Sequence, residues 1–285
     1  MARKLLQIQG GIIMIIQHNM SAANTNRQLG ITNGNLSKST ERLSSGYKIN
    51  RAADNAAGLT ISEKMRGQIR GLDQASTNAQ DGISLVQTAE GALAETESIL
   101  QRMRELTVQA ANDTNVTADR AAIKEELTAL EAEITRIGTQ SQFNTMNLLD
   151  GTFTNKNLQV GANASQNISI QINTMTATGL GVATIHNKVS AYGVATAAIT
   201  TVNNAITKVS EQRSKLGAIQ NRLDHTIANA DNTSENLQSA ESRIRDVDMA
   251  EEMVKYSKDS ILQQAGQSML AQANQATQGI LSLIR

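Results

Sequence analysis

The 285-residue chain carries 26 Lys and Arg against 26 Asp and Glu, so its formal net charge is zero. Without a basic excess, nothing indicates a nucleic-acid or membrane-surface binder. The chain has no Cys, which excludes disulfides, thiolate metal sites and a cysteine nucleophile. It also has no Pro and only 2 % aromatic residues, a composition that permits long uninterrupted helices packed through aliphatic side chains.

The first residues share some features with a secretory signal, because Arg3 and Lys4 precede an apolar run and small residues follow at 21–23. Gln7, Gln9 and two glycines interrupt that run, so we favour a chain without a cleaved signal over the alternative. No stretch reaches the about 20 apolar residues that a membrane-spanning helix needs.

Apolar residues recur every seven positions in the first part of the chain, the spacing of a helix that buries one face. A short series comprises Leu29, Leu36 and Leu43, and a longer one comprises Met65, Leu72, Ala79, Val86, Leu93 and Leu100. Turn-forming residues at 112–115 then predict a break. After it, Asp119 can cap a third helix that Gly138 would end. Its predicted core seam is Ile123, Leu127, Leu130, Ile134 and Ile137.

The middle of the chain has a different pattern. Residues 156–160 and 168–172 alternate between apolar and polar around a short segment, 161–164, which predicts a β-hairpin. Residues 174–193 are rich in Thr, Ala and Gly and show no sustained period. We therefore predict that this stretch is a loop-like excursion.

Heptad spacing returns in the last third, with Val202, Val209, Leu216, Leu223, Ala230, Leu237 and Ile244, and then Leu262, Met269, Ala276 and Leu283. The predicted fold is mainly α: a long antiparallel coiled coil or helix bundle built from both chain ends, with a small central β-hairpin region. The terminal segments are rich in Gln, Ser and Ala, so they bury little apolar area of their own. We expect them to need partners.

Residues for catalysis are missing. The three histidines, His18, His186 and His225, have no ligand-like spacing, and no zinc or phosphate-binding motif occurs. The carboxylates Glu125, Glu126, Glu131 and Glu133 stand at helical spacing, and we interpret them as a solvated charged surface. We expect no enzyme activity, no metal and no cofactor.

Several long segments resemble conserved regions of bacterial flagellins. They are residues 43–59 (LSSGYKINRAADNAAGL), 81–93 (DGISLVQTAEGAL), 101–112 (QRMRELTVQAAN), 240–249 (AESRIRDVDM) and 261–285. The resemblance covers nearly the whole chain, apart from its first residues and 174–193. It implies a minimal flagellin, a structural subunit that polymerises into the extracellular filament used for motility.

The resemblance also implies a division of the chain. Residues 14–56 and 253–285 would be terminal helices of the inner filament core, 57–137 and 194–252 shaft helices, and 138–193 a hairpin with a short variable region. The usual flagellin opening is similar to residues 14–19, so residues 1–13 are an extension of uncertain status. Many flagellins have a proline where this chain has residues 275–278, so its last helix is expected to run straighter.

Partners follow from the same resemblance. They are other copies of the chain, an export chaperone of the flagellar type III apparatus, the filament cap and hook-associated proteins, with neither nucleic acid nor membrane. The polymerisation seam would comprise Leu29, Leu36, Leu43, Leu262, Met269, Ala276 and Leu283. In flagellins the animal flagellin-sensing Toll-like receptor reads a surface that matches Gln101, Arg102, Arg104, Glu105, Leu106 and Glu126.

Two other functions remain open at this stage. A hook–filament junction protein shares the terminal helices and is a minor component, whereas a filament subunit forms long polymers by itself. A filament-borne protease is disfavoured, because the chain has neither a zinc motif nor room for a protease domain.

Overall fold

The computed structural model describes residues 19–283, with side chains up to residue 276. The helices are α1 (Met20–Ser45), α2 (Ala56–Ala110), α3 (Thr117–Gln140), the short α4 (Ala177–Leu180), α5 (Tyr192–Arg245) and α6 (Met249–Leu283). Two small antiparallel hairpins lie between α3 and α4, which confirms the mainly α fold with a central β region. Among the described helices, none is long and apolar enough to cross a membrane. The predicted extension at 1–13 lies outside the described residues.

The described residues form two compact units, one of residues 19–63 with 240–283 and one of residues 64–239. In the first unit α1 and α6 pack antiparallel. Asn19 begins α1, where its Oδ1 accepts a hydrogen bond from Ala22 N (2.9 Å) while its Nδ2 donates to Ala273 O of α6 (2.9 Å). Gly46 ends α1 with φ 76°, a left-handed conformation that glycine adopts without strain.

The seam between α1 and α6 is mixed in character. The predicted α1 series, Leu29, Leu36 and Leu43, is half-buried there. The facing positions of α6 are largely small or polar and recur in steps of four and three: Glu252, Tyr256, Asp259, Gln263, Gly266, Leu270 and Ala273. The predicted α6 series lies outside this seam, since Leu262, Met269 and Ala276 are exposed and the Leu283 side chain is not among those described.

The second unit has its core between α2, α3 and α5. Most of the periodic residues predicted for these helices are buried, among them Leu93 and Leu100 of α2, Ile134 of α3 and Val209 of α5. The others are half-buried: Met65, Leu72, Leu130, Ile137, Leu237 and Ile244. Arg213 of α5 binds Glu97 and Glu90 of α2, and later in α5 Ser234 donates to Asp73, earlier in α2. These pairs show that α2 and α5 run antiparallel.

The predicted central hairpin is present as β3 (Lys156–Gln159) and β4 (Asn167–Ile170), paired antiparallel with Leu158 opposite Ile168. Side-chain amides from the helices flank it, because Asn78 donates to the Gln159 carbonyl (3.1 Å) and Gln212 to the Gln171 carbonyl (3.1 Å). The sequence did not predict a smaller hairpin, β1 (Gln142–Phe143) with β2 (Met146–Asn147).

Two local predictions are wrong. Gly138 does not end α3, which continues to Gln140. Gly138 instead gives room for a close approach, since a Cβ there would stand 2.9 Å from Thr176 Cγ2. Residues 174–193 are not a loop-like excursion: they contain α4 and a 3-10 turn at Ile185–Lys188, and they bury Leu180 and Ile185 in the core. Packing against α3 orders a stretch that has no period of its own.

Candidate interaction surfaces

The first candidate surface lies on α2 and α3 and is centred on Arg102. We name it the Arg102 surface, made of Gln101, Arg102, Arg104, Glu105 and Glu126, all exposed. Its orientation follows from helix geometry: Leu100 and Met103 are fully buried, and Arg102 lies some 200° around the helix from Leu100.

Arg102 joins the two helices. Its Nε donates to Glu126 Oε1 of α3 at 2.9 Å, and its Nη1 donates to Glu105 Oε2 on its own helix at 3.0 Å. The Glu105 bond, and then the Glu126 bond, raise the pKa of the Arg102 guanidinium. The side chain is about half exposed (51 %), so solvent screens these pairs and their main effect is to orient the guanidinium.

Leu106 differs from the other residues predicted for this site. It is only 2 % exposed and belongs to the core, so it supports the surface from beneath. Beside the surface, Gln101, Arg104 and Glu105 border a groove between α2 and α5 that also includes Val108 and Ile206. The structure thus brings together an ion-pair cluster and an adjoining groove with apolar side chains.

The second candidate surface lies on α6. Several large apolar side chains of this helix are exposed outside the seam with α1, and we name Val254, Ile261, Leu262 and Met269 the outward face of α6. Val254 and Ile261 are 69 % and 66 % exposed. Leu262 and Met269 also border a groove where Leu29 of α1 packs over Gly266. A helix whose inner seam is polar and whose outer side is apolar is suited to burial against something outside this chain.

Sequence reasoning missed Glu252. This residue is 3 % exposed in the α1–α6 seam, where its Oε1 accepts a hydrogen bond from Ser39 Oγ (2.7 Å) and its Oε2 lies 3.7 Å from both Arg42 and Lys255. A sequence signal for its burial exists, because Glu252 belongs to the α6 positions that recur in steps of four and three and face α1. A carboxylate at that position predicts a buried polar pair only when the opposite helix is known.

Glu131 corrects an interpretation. We expected it on a solvated charged surface, but it is 6 % exposed. Its Oε1 accepts a hydrogen bond from His186 N (2.9 Å), and its Oε2 lies 2.7 Å from His186 Nδ1. This carboxylate therefore fastens residues 185–188 to α3. Across the described residues, no group of acidic and histidine side chains could hold a metal ion.

Arg245, the last residue of α5, organises the connection between helices in the first unit. Its guanidinium lies 4.6 Å from the centre of the Tyr47 ring, and its Nη1 is 3.0 Å from Glu63 Oε1. Its carbonyl accepts a hydrogen bond from Lys48 N (2.6 Å). These contacts hold the segment after α1 against the end of α5.

Comparison with known proteins assigns the chain to a family. Residues 16–154 match the bacterial flagellin N-terminal helical region, and residues 199–284 match the corresponding C-terminal helical region. The chain is 55 % identical to a flagellin of Halalkalibacterium halodurans and 49 % identical to a flagellin of Bacillus subtilis, each time over 95 % of this chain and all of the relative.

A solved structure shares the fold. A flagellar hook-associated protein from Vibrio parahaemolyticus superposes with a TM-score of 0.58 over 68 % of this chain and all of that one, at 14 % identity. That likeness shows the fold alone, whereas the sequence identities over nearly the full length show the family. The chain therefore belongs to the bacterial flagellins, the structural subunits of the extracellular flagellar filament, and is not an enzyme.

Proposed function

We propose that this chain polymerises by itself into the filament, and that the outward face of α6 is a surface which neighbouring subunits cover. The observation that carries the proposal is the inverted polarity of α6. Its side toward α1 holds Glu252, Asp259 and Gln263, while Ile261 and Leu262 are exposed outside that seam. Burying exposed apolar side chains gives about 25 cal/mol per Å², and a neighbouring subunit would supply that burial.

Each part of the chain has its own position in the proposed filament. Residues 14–56 and 253–285 form the inner filament core, residues 57–137 and 194–252 the shaft, and residues 138–193 the variable region. The half-buried α1 residues Leu29, Leu36 and Leu43 contribute to the same polymerisation seam from the facing helix. Head-to-tail contacts that do not close into a ring generate a helical filament.

The test is a double substitution, Ile261→Ser with Leu262→Ser, in the full-length chain. Electron microscopy of the purified protein, taken through depolymerising and then polymerising conditions, should show long filaments for the original chain and none, or only short ones, for the variant. The matched control is Val116→Ser, which removes an aliphatic side chain of similar exposure from the connection before α3. Filaments of normal length from the double variant would overturn the role of this face.

A deletion probes the terminal segment as a whole. Removing residues 261–285 should leave a helical monomer that does not polymerise, because the core in the second unit involves none of the deleted residues. Circular dichroism measures the remaining helicity and light scattering measures the polymer. Polymerisation of the deletion at the normal rate would contradict the proposal.

The Arg102 surface is proposed as a site with two uses: contact with a neighbouring subunit in the filament, and contact of the free monomer with the flagellin-sensing Toll-like receptor. What supports this is the orientation of the Arg102 guanidinium by Glu105 and Glu126, next to a groove that contains exposed Val108. Planar, pre-oriented guanidinium groups form strong paired bonds with carboxylates. Leu106 acts by holding the helix surface in place.

Arg102→Ala tests both uses. Receptor signalling by the monomer should fall, and swimming of cells that carry the variant should be impaired, while monomer helicity is unchanged. Losing one charge-assisted contact weakens an interface by about 1–3 kcal/mol. The control is Arg136→Ala on α3, an arginine of matching exposure that is also paired with a nearby glutamate, Glu133. Full signalling by the Arg102 variant would remove it from the receptor site, and normal swimming would remove it from the subunit contact.

The remaining partners that we propose are the export chaperone, the filament cap and the hook-associated proteins. The apolar outward face of α6 supports a chaperone that shields this helix before assembly. Co-purification of the chain with a flagellar chaperone should be lost in the Ile261→Ser, Leu262→Ser variant and kept in Val116→Ser. Equal recovery of the chaperone with both variants would show that it binds a surface other than the outward face of α6.

A further inference from the structure

Methionine is the only sulfur-containing residue in this chain, which has ten Met and no Cys. The described methionines range from buried to exposed, with Met65 of α2 half-buried. Met103 and Met175 are buried at 0 % and 3 %, whereas Met249, Met253 and Met269 on α6 are exposed at 49 %, 50 % and 59 %. The thioethers of α6 are therefore open to small oxidants and those of the core are not.

The exposed methionines of α6 lie beside residues proposed to be covered during assembly. Met269 belongs to the outward face of α6 and borders, with Leu262, the groove over Gly266. Met249 and Met253 are one helical turn apart at the start of the same helix, outside the seam with α1. Their flexible apolar side chains are suited to filling the gaps of an interface.

We propose that Met249, Met253 and Met269 are oxidation-sensitive positions along α6, at which hydrogen peroxide converts thioethers to sulfoxides and thereby weakens polymerisation. The sulfur lone pair attacks one peroxide oxygen, an S–O bond forms and the O–O bond breaks. The departing hydroxide takes the proton from the oxygen now bound to sulfur, which leaves the neutral sulfoxide and one water. Sulfur thus loses two electrons and the peroxide gains them. This proposal rests on the proposed burial of α6 between subunits.

The consequence for assembly follows from polarity. A thioether can be buried without a hydrogen bond, but the sulfoxide oxygen is a strong acceptor that needs a donor. The backbone N–H groups in the interior of a helix are already bonded to its own carbonyls, so α6 offers none beside Met253 and Met269. An interface that closes over the sulfoxide leaves the oxygen unpaired. The modification is reversible, because methionine sulfoxide reductases return the sulfoxide to the thioether.

The experiment treats full-length monomer with dilute hydrogen peroxide, maps sulfoxides by peptide mass and then measures elongation from filament seeds. Met249, Met253 and Met269 should be oxidised while Met103 and Met175 stay reduced. The critical concentration for elongation should rise about tenfold or more. Sulfoxide reductases A and B together should restore it, and monomer helicity should not change.

Variants assign the effect to these residues, each compared with its own untreated sample. Met249→Leu, Met253→Leu and Met269→Leu combined should abolish the response to peroxide. Met146→Leu, which removes an exposed methionine from the hairpin region, should leave the response intact. Unchanged elongation of oxidised original protein, or an undiminished response in the triple variant, overturns this inference. Failure of untreated original protein to elongate would instead contradict the proposed function.

Discussion

The bond between Glu131 and His186 provides the sharpest test of how the central segment is held. Glu131→Ala removes a carboxylate of α3 that is almost fully buried and accepts from the backbone N–H of His186 while contacting its ring nitrogen. The variant leaves that N–H without its partner and opens a space under the 3-10 turn at Ile185–Lys188. We expect the second unit to lose stability while its long helices persist.

The magnitude can be worked from these contacts. A hydrogen bond to a charged group contributes about 1.5–3 kcal/mol to stability, and Glu131 makes two contacts of this kind. Part of the loss is offset, because the variant no longer has a carboxylate to desolvate, so we expect the free energy of unfolding to fall by about 2–4 kcal/mol. For a domain of 150–250 residues, each kcal/mol lowers Tm by about 2–4 °C, which predicts a decrease of about 5–15 °C.

The assay is thermal unfolding followed by circular dichroism, with Glu125→Ala as the control on the same helix. Glu125→Ala changes the helix propensity of α3 by the same amount as Glu131→Ala. Because Glu125 is exposed, its removal should shift Tm by less than about 2 °C. Glu131→Gln keeps an acceptor for the His186 N–H and should lie between the two. Equal Tm values for Glu131→Ala and Glu125→Ala would refute the reasoning, since Glu131 would then contribute no more than a surface residue.

Two further predictions concern the seam and the turn before β3. Glu252→Ala should destabilise the α1–α6 pair by about 1–3 kcal/mol and impair polymerisation, whereas exposed Glu251→Ala should do neither, as measured by hydrogen exchange of α1 and by light scattering. Hydrogen bonds from Thr152, and then from Asn147, lower the pKa of Asp150 below its usual 3.8. The stability that these bonds provide is complete above the unfolded-state pKa and is lost as pH falls toward the folded-state value. The free energy of unfolding of Asp150→Asn should therefore fall less steeply below about pH 4 than that of the original chain, and equal slopes would contradict this.

Long helices were predictable because their signal is local. Residues such as Leu93, Leu100 and Val209 repeat at seven-residue spacing, and a helix with that repeat has one apolar face to bury whatever covers it. The hairpin of Lys156–Gln159 and Asn167–Ile170 was predictable for a similar reason, since alternation and a short turn are also read from neighbouring residues. Family membership was readable from segments such as 43–59.

The predictions that were wrong or missing concern structure that depends on distant or very short segments. Residues 174–193 have no period because their order comes from α3, where Gly138 admits Thr176 and Glu131 binds His186. The residues within the segment do not predict these partners, which lie about 40–55 positions away in the chain. The β1–β2 hairpin was missed because two residues per strand are too few to show alternation.

For the interaction surfaces, sequence and tertiary structure again supply different information. The sequence by itself determined that α6 carries an apolar series from Leu262 to Leu283 and that Arg102 lies away from Leu100, because both follow from 100° per residue along one helix. Only the tertiary structure decided which side of α6 meets α1, that Leu106 is buried while Arg102 joins Glu105 to Glu126, and that Glu252 rather than Leu262 occupies the seam. A periodic pattern specifies a helix face, but the neighbour that covers the face is set by contacts between residues far apart in the chain.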